Sequence, residues 1–374
     1  MILTSVQTLC LLILSLILAY FIKTKVAFLK KYYIPAPLIG GIILSFIFII
    51  LNKFTPVKGT YTFVPIFVAG FFASIGLRFN LDTLKKGFKL QMLYFLITII
   101  VALGQNSIAL ALGKIFGKSV PESLILGSSS LMGDHTLLKS MPKFVKAIGP
   151  NIKQLTGISI LTLYIGTIAG VILFSKFRKD VDLSSTIKIP APTFTPIELL
   201  KYLGIFTVCV AIGMLPTALN LGKWINPAGG GFLVGILLRQ FFDFSKTFDI
   251  KVPEVNLIGN FCLSMLLISN FAMFDISLIK NITLFSYMVL VIQLVILLAF
   301  TYFVVFKLYK KNGLSAYVSA GLIGFSYGMP ASTMSSIQSF TEAEGAIPLV
   351  LFIVPPVGAW LITVVNPFII GLFM

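Results

Sequence analysis

Two short polar segments interrupt long apolar stretches and hold most of the residues that could do chemistry. The first covers residues 127–136, and the second covers 324–333, about 195 residues further along the chain. Irregular backbone at membrane depth persists only where it is buried in protein or lines a cavity, and paired breaks in two halves of a chain point to a binding site. The candidate substrate- and ion-binding residues in these segments are Ser128, Ser129, Ser130, Gly133, Asp134, His135, Thr136, Ser326, Tyr327, Gly328, Ser332 and Thr333.

A helix broken at such a segment offers two kinds of ligand site. Its N-terminal half exposes N–H groups and partial positive charge, which suit a carboxylate. Freed carbonyl oxygens and the hydroxyl groups suit Na⁺, because a hard cation prefers oxygen ligands. Gly133 and Gly328 allow the backbone to turn and approach closely. The segments therefore predict a site for a small acid and Na⁺, with the exact Na⁺ ligands left open.

Asp134 and His135 are the strongest individual candidates. Asp134 is the one carboxylate that we place deep in the membrane, and such residues are costly unless they have a role. Asp134 could instead lie at a water-exposed hairpin tip or pair locally with His135 or Lys139. His135 is the single histidine of the chain, so it could accept a proton, anchor a substrate or pack, but it cannot build a metal site alone.

Further polar residues lie inside apolar stretches. Gln105 and Asn106 form an adjacent pair, for which helix–helix hydrogen bonding and substrate contact are about equally reasonable interpretations. Arg78 and Asp82 are four residues apart at the end of an apolar stretch. We expect those two to form an i,i+4 ion pair at the membrane interface.

Composition defines the class of protein. The chain has 374 residues, of which 57% are hydrophobic and 11% charged, whereas a soluble domain would be about 25% charged. The net charge of +17 is better explained by basic loops between spans than by nucleic-acid binding. The three cysteines lie in apolar segments without metal-ligand spacing. These features predict an all-α integral membrane protein without an organic cofactor or a nucleic-acid partner.

The apolar pattern predicts ten transmembrane helices. A first basic cluster follows, rather than precedes, the first apolar run, which favours a retained helix over a signal peptide. With the N-terminus outside, the inner segments carry 19 of the Lys and Arg residues and the outer ones 10, which favours both termini outside. The predicted spans are 2–22, 34–52, 63–79, 90–113, 154–174, 198–218, 229–241, 255–274, 283–306 and 346–372.

Five spans in each half make the halves inverted repeats. Residues 1–174 form the first repeat with a re-entrant hairpin at 122–141, and residues 198–374 form the second with a hairpin at 315–340. The proline-containing stretch 175–197 is the predicted cytoplasmic linker. A Pro/Gly-rich entry to the second span and a glutamine in the fourth, Gln105 and Gln293, recur in both halves at nearly constant spacing.

At this point the chain resembles the bacterial sodium/glutamate symporter family over nearly its whole length. The resemblance is most specific in residues 30–41 (KKYYIPAPLIGG), 71–77 (FFASIGL), 104–106 (GQN) and 354–360 (VPPVGAW), and it includes Gln338. It implies two five-helix repeats with hairpins, a homodimer in the bacterial inner membrane, elevator-type alternating access and Na⁺-coupled uptake of glutamate. Gln105, Asn106 and Gln338 join the candidate site residues.

The hairpin tips depart from the family pattern. The family's first tip typically reads Ser-Gly-Gly-His-Gly-Thr, where residues 132–137 read MGDHTL. The second typically reads Gly-Ala-Thr-Pro-Thr, where residues 328–332 read GMPAS. A carboxylate at Asp134 would repel an anionic substrate unless a cation or proton neutralised it.

Sodium-coupled symport of glutamate or a related small acid is therefore the leading hypothesis. The alternative is a carrier of the same fold for another amino acid or organic acid, with proton coupling through Asp134 as one form of it. A channel is less favoured because no carbonyl-filter sequence is present. An enzyme is not expected, because no serine is spaced convincingly with a base and an orienting group.

Overall fold

The chain folds into helices joined by turns and by longer connections, such as the one between Phe177 and Pro196. The computed structural model describes residues 2–132, 138, 140–184, 186–273 and 275–374. Gly133, Asp134, His135 and Thr136 lie outside the described residues. The helices are α1 Ser5–Lys25, α2 Ala27–Lys31, α3 Ala36–Leu51, α4 Val64–Leu77, α5 Leu81–Ile115, α6 Val120–Leu124, α7 Ser128–Leu131, α8 Pro142–Ile148, α9 Ile152–Phe177, α10 Pro196–Ala218, α11 Pro227–Ser245, α12 Val252–Ala272, α13 Leu284–Leu308, α14 Gly313–Ser326, α15 Pro330–Glu344 and α16 Pro348–Gly371.

Local sequence explains where the long helices begin. Thr4 and Thr195 form capping boxes with Gln7 and Glu198, and Asn80 accepts a hydrogen bond from the Thr83 amide. Such side chains satisfy N–H groups that a helix leaves unpaired in its first turn. The polar residues between apolar stretches therefore set the helix starts.

Each apolar segment predicted as a span coincides with a helix. Among the described residues, α1, α5, α10, α12, α13, α16 and the α8–α9 unit are long and apolar enough to cross a membrane. The apolar helices α3 and α4 are shorter, with 16 and 14 residues. The described part of the chain contains no strand beyond two isolated bridges. The molecule is thus a helical, multi-pass integral membrane protein.

The helices pack into two groups. The first bundle contains α1, α3, α4, α10, α11 and α12, and the second bundle contains α5–α9 and α13–α16. In the first bundle, α3 packs on α12 while α4 packs on α11, and in the second α9 packs on the α14–α15 pair. The described part of the first polar segment and the whole of the second therefore belong to the second bundle.

Backbones meet directly inside the first bundle. A Cβ atom added to Gly235 of α11 would lie 2.5 Å from the Ala73 carbonyl oxygen of α4. On the other side of the bundle, a Cβ added to Gly41 of α3 would overlap Phe271 of α12. Small residues let membrane helices approach this closely, and packing then holds them together.

Polar contacts connect the two bundles at the end of α15. In the Glu344 cluster, defined as Tyr33, Arg178 and Glu344, the Tyr33 hydroxyl donates to the Glu344 carboxylate, and Arg178 Nε lies 3.0 Å from it. Nearby, the Tyr20 hydroxyl donates to Glu342 at 2.8 Å. Burial raises the pKa of Tyr33 to about 12, with Glu344 adding to the effect.

Candidate functional site

The second polar segment forms the tip of a helical hairpin. Helices α14 and α15 lie antiparallel: Thr333 Oγ1 near the tip donates to the Gly321 carbonyl at 2.7 Å, and the Tyr317 hydroxyl donates to the Gly345 carbonyl near the base at 2.7 Å. Between the helices, Met329 has φ +79° and ψ 158°. This region is costly for a side-chain-bearing residue and occurs mainly at functional sites. The predicted hairpin at 315–340 corresponds to this helix pair.

The first polar segment is built from shorter helices. Ser129 Oγ donates to the Leu124 carbonyl at 2.6 Å, and Ser130 Oγ donates to the Ile125 carbonyl at 2.5 Å. The turn between α6 and α7 is thereby held by the serines that follow it. The predicted hairpin at 122–141 continues into residues that are not described.

Ser128 is held by two asparagines. Its amide donates to Asn106 Oδ1 at 2.9 Å, and its hydroxyl donates to Asn366 Oδ1 at 2.7 Å. Asn366 Nδ2 in turn donates to the Ser128 carbonyl at 3.0 Å. Asn106 and Ser128, both predicted site residues, are therefore in direct contact. Asn366 of α16, which the sequence analysis did not single out, is a second partner of Ser128.

The two segments meet and exchange hydrogen bonds with the opposite half. The Gly328 amide donates to the Leu131 carbonyl at 3.0 Å. Gln105 Nε2 of α5 donates to the Ser326 carbonyl at 2.5 Å, and Gln293 Nε2 of α13 donates to the Leu126 carbonyl at 2.6 Å. The repeated intramembrane glutamine thus performs the same task in each half.

Several oxygen atoms at this junction have no hydrogen-bond partner among the described residues. They include Gln105 Oε1, Ser326 Oγ and Gln293 Oε1, all buried. Leaving a buried polar atom unpaired costs about 1–3 kcal/mol. Gln105 Oε1 and Ser326 Oγ belong to residues that are already hydrogen-bonded to each other, and amide and hydroxyl oxygens are ligands that a hard cation accepts.

Other predicted hydroxyl groups in the described part of the chain donate hydrogen bonds to backbone carbonyls. Ser332 Oγ donates to the Leu163 carbonyl at 2.8 Å, and the Tyr327 hydroxyl donates to the Leu290 carbonyl at 2.8 Å. Both side chains are buried. Their hydrogen bonds fix the second hairpin against α9 and α13.

Gln338 lies elsewhere, in a cavity of about 450 Å³ between the bundles. Its Nε2 donates to Ser264 Oγ at 3.1 Å, while its Oε1 has no partner among the described residues. Arg78 of the first bundle and Lys188 of the linker also line this cavity. The structure therefore does not bring Gln338 together with the hairpin tips.

Arg78 does not form the ion pair that the sequence analysis predicted. Among the described residues it forms no ion pair with Asp82, and its Nη2 donates back to Ser74 Oγ at 3.1 Å. The backbone explains this change, because α4 ends at Leu77 and α5 starts at Leu81, so the two residues do not share a helix. A charged residue ending an apolar helix was the sequence signal for this position.

The described residues also contain no cluster of His, Cys, Asp or Glu that could hold a metal.

Comparison with known proteins identifies the family of the chain. The sequence pattern of the family described as "Sodium/glutamate symporter" matches residues 1–181 and 183–346. The chain is 25% identical to the sodium/glutamate symporter of Escherichia coli (strain K12) over 383 residues, covering 96% of this chain and 95% of that protein. It is also 25% identical to the protein of that name from Haemophilus influenzae over 387 residues, with 96% and 94% covered. The chain belongs to the sodium/glutamate symporter family.

Proposed function

We propose that this protein is a Na⁺-coupled symporter of glutamate. The observation that carries the proposal is the near-full-length family match, in which the relatives named above are sodium/glutamate symporters. The shared length includes both hairpin segments and both intramembrane glutamines. Transport of a small acidic amino acid is therefore the activity to test first.

The proposed topology has ten spans in two inverted repeats, residues 1–174 and 198–374, joined by the 175–197 linker. Crosswise packing supports it: α3 of one repeat packs on α12 of the other, and α4 packs on α11. Two hydrogen bonds also cross between the repeats: Gln105 of the first repeat donates to the Ser326 carbonyl of the second, and Gln293 of the second donates to the Leu126 carbonyl of the first. Each hairpin enters the membrane from its own side, and both termini lie outside.

Elevator-type alternating access fits the division into two bundles. The second hairpin and the described part of the first predicted hairpin pack within the second bundle, and a cavity with polar walls lies between the bundles. The second bundle then carries the substrate while the first bundle remains in place. A homodimer in the bacterial inner membrane is part of the proposal and follows from the family resemblance.

Na⁺ is proposed to bind where the hairpin tips meet. Gln105 Oε1 and Ser326 Oγ are buried oxygen atoms without partners among the described residues. Gly133, Asp134, His135 and Thr136 are assigned to the same site from the sequence. Protonation of Asp134 is the alternative means of coupling.

The test is uptake of labelled L-glutamate into proteoliposomes with an inward Na⁺ gradient, compared with K⁺ on both sides. We expect accumulation only with the Na⁺ gradient, and absence of gradient-dependent uptake would contradict the proposal. An inward proton gradient in the absence of Na⁺, with wild type and Asp134→Asn, separates proton coupling from Na⁺ coupling.

A matched pair of variants tests the ion site. Gln105→Leu and Gln293→Leu each remove an equivalent hydrogen bond of a buried glutamine. We expect the Na⁺ concentration for half-maximal uptake to rise about tenfold or more in Gln105→Leu, since one lost ligand is worth about 1.4 kcal/mol or more. Gln293→Leu should lower stability to a similar extent with a smaller effect on Na⁺. Equal Na⁺ dependence in both variants and wild type would exclude Gln105 as a ligand.

A further inference from the structure

We propose that the cavity between the two bundles is a carboxylate-binding site centred on Arg78. The inference rests on the proposed function for the identity of its ligand, the acidic substrate. It adds a recognition residue outside the hairpin tips. The site combines a guanidinium that has no ion-pair partner in the described part of the chain, polar walls from both bundles and a volume suited to one small molecule.

The guanidinium of Arg78 has unused hydrogen-bonding capacity. Its Nη2 donates to Ser74 Oγ at 3.1 Å, whereas its buried Nε has no partner among the described residues. None of the ion pairs in the described part of the chain includes Arg78. Placing a charge away from water without a partner is expensive, and a bidentate carboxylate is the partner that a guanidinium fits best.

The neighbouring helix makes room for this arrangement. A Cβ atom added to Gly259 of α12 would lie 2.9 Å from Arg78 Nη2 and would overlap Ser74 Oγ. The absence of a side chain at Gly259 therefore lets the guanidinium pack against α12. Arg78 therefore lies in the cavity wall, against α12.

The charges around the cavity favour an anion. Its charged wall residues are Arg78, Lys188 and Glu342. Glu342 is already engaged, because Lys23 Nζ lies 3.5 Å from its carboxylate and the Tyr20 hydroxyl donates to it at 2.8 Å. Among the described wall residues, Arg78 and Lys188 are left without an ion-pair partner, so these walls have a positive balance.

Neutral polar groups complete the walls. Asn256 and Asn260 of α12 face the cavity from the first bundle, and Gln338 of α15 faces it from the second. These amides can donate to a carboxylate or accept from an ammonium group. The volume of about 450 Å³ is within the range of small-molecule sites, roughly 300–1,000 Å³. A ligand held there would touch both bundles at once.

The experiment measures binding of labelled L-glutamate, L-aspartate, succinate and L-glutamine to purified full-length protein in saturating Na⁺. The variants are Arg78→Gln and Arg78→Lys, with Lys201→Gln as a control that removes an exposed positive charge away from the cavity. We expect Arg78→Gln to weaken glutamate binding about tenfold to a hundredfold, because charge-assisted hydrogen bonds are lost. Glutamine binding should change little, and Arg78→Lys should recover part of the affinity.

A second variant is available if Arg78→Gln does not fold. Asn260→Asp adds a negative charge to the cavity wall with almost no change of shape. We expect it to weaken binding of glutamate and succinate while sparing glutamine. Thermal unfolding of each variant without ligand shows whether the protein is folded.

The outcomes separate this inference from the proposed function. Unchanged glutamate affinity in folded Arg78→Gln, or in folded Asn260→Asp where the first variant fails, would overturn the inference and leave Na⁺-coupled symport in place. Arg78-dependent binding of succinate or aspartate by a protein that neither binds nor transports glutamate would support the carboxylate site and reject the proposed substrate. A wild-type protein that binds none of the acids would contradict both.

Discussion

The hairpin tips and the cavity between the bundles are both rich in polar groups, but they use them differently. At the tips, Ser129, Ser130 and Ser332 all donate to backbone carbonyls. In the cavity, Arg78 Nε and Gln338 Oε1 have no protein partner among the described residues. A buried polar group with a partner maintains the fold, whereas one without a partner is available to a ligand.

This difference changes how the serine cluster is interpreted. Hydroxyl groups that donate to carbonyls at 2.5–2.8 Å are already occupied and hold irregular backbone in place. The unpaired oxygen atoms at this junction, among the described residues, include Gln105 Oε1, Gln293 Oε1 and Ser326 Oγ. Gln105 and Ser326 are hydrogen-bonded to each other, so we propose their free oxygens as Na⁺ ligands, and the hydroxyls that donate to carbonyls as positioning groups.

The largest effect should come from filling the space at the meeting point of the tips. In Gly328→Val, the Cβ would overlap Ser332 Oγ and lie 2.8 Å from the carbonyl oxygens of Gly324 and Thr162. We expect a loss of at least about 3 kcal/mol of stability, or no folded protein, because backbone atoms cannot move aside cheaply. Size-exclusion chromatography and thermal unfolding measure this loss.

Gly104→Val is the matched control, since a Cβ on Gly104 meets nothing within 4 Å. It should elute as a folded protein with a melting temperature within a few degrees of wild type. If Gly328→Val melted at the same temperature as Gly104→Val, the tips would not be tightly packed. The contrast between packed tips and an open cavity would then be wrong.

An intermediate effect is expected from Ser129→Ala. The variant loses the hydroxyl hydrogen bond to the Leu124 carbonyl, which retains the Gly127 amide as a partner. We expect a loss of about 1 kcal/mol of stability with an unchanged KM for glutamate. Ser107→Ala, at an exposed serine that bonds the Leu103 carbonyl, is the control. A raised KM in Ser129→Ala alone would place Ser129 at the ligand.

The smallest effect concerns Glu344, beside the cavity at the base of the second hairpin. Burial tends to raise the pKa of Glu344, but the Tyr33 hydroxyl and Arg178 outweigh it, so the pKa lies below its ordinary value. The ionised form therefore contributes stability above the ordinary pKa of a glutamate, and this contribution is lost as pH falls through the lowered value.

Glu344→Gln should thus cost about 0.5 kcal/mol at neutral pH, within the range for a partly exposed ion pair, and progressively less in acid. Melting temperatures of wild type and variant across a pH series check this. Glu198→Gln serves as the control, because that carboxylate pairs with Lys251 at an exposed site. A stability difference that stays constant down to low pH would contradict the assignment.

Sequence reasoning predicted the helices well, because apolar length and capping residues are local properties of the chain. The helix pair at the second polar segment and the importance of Gln105 and Gln293 could also be predicted, because a polar segment and a lone glutamine recur in both halves of the sequence. The hydrogen bond from the Ser129 hydroxyl to the Leu124 carbonyl could not be predicted, because the sequence does not tell which carbonyl lies near a given hydroxyl in space. The predicted ion pair of Arg78 with Asp82 was wrong, because a spacing of four residues brings side chains together only within one helix, and these two residues do not share a helix.

The close contact of α4 with α11 has a mechanical consequence. Where Gly235 meets the Ala73 carbonyl with no side chain between them, sliding one helix along the other would force backbone atoms to collide. The same applies to Gly41 of α3 against Phe271 of α12. These contacts make the first bundle resistant to internal sliding, which is the property that the stationary bundle of the proposed elevator-type mechanism requires.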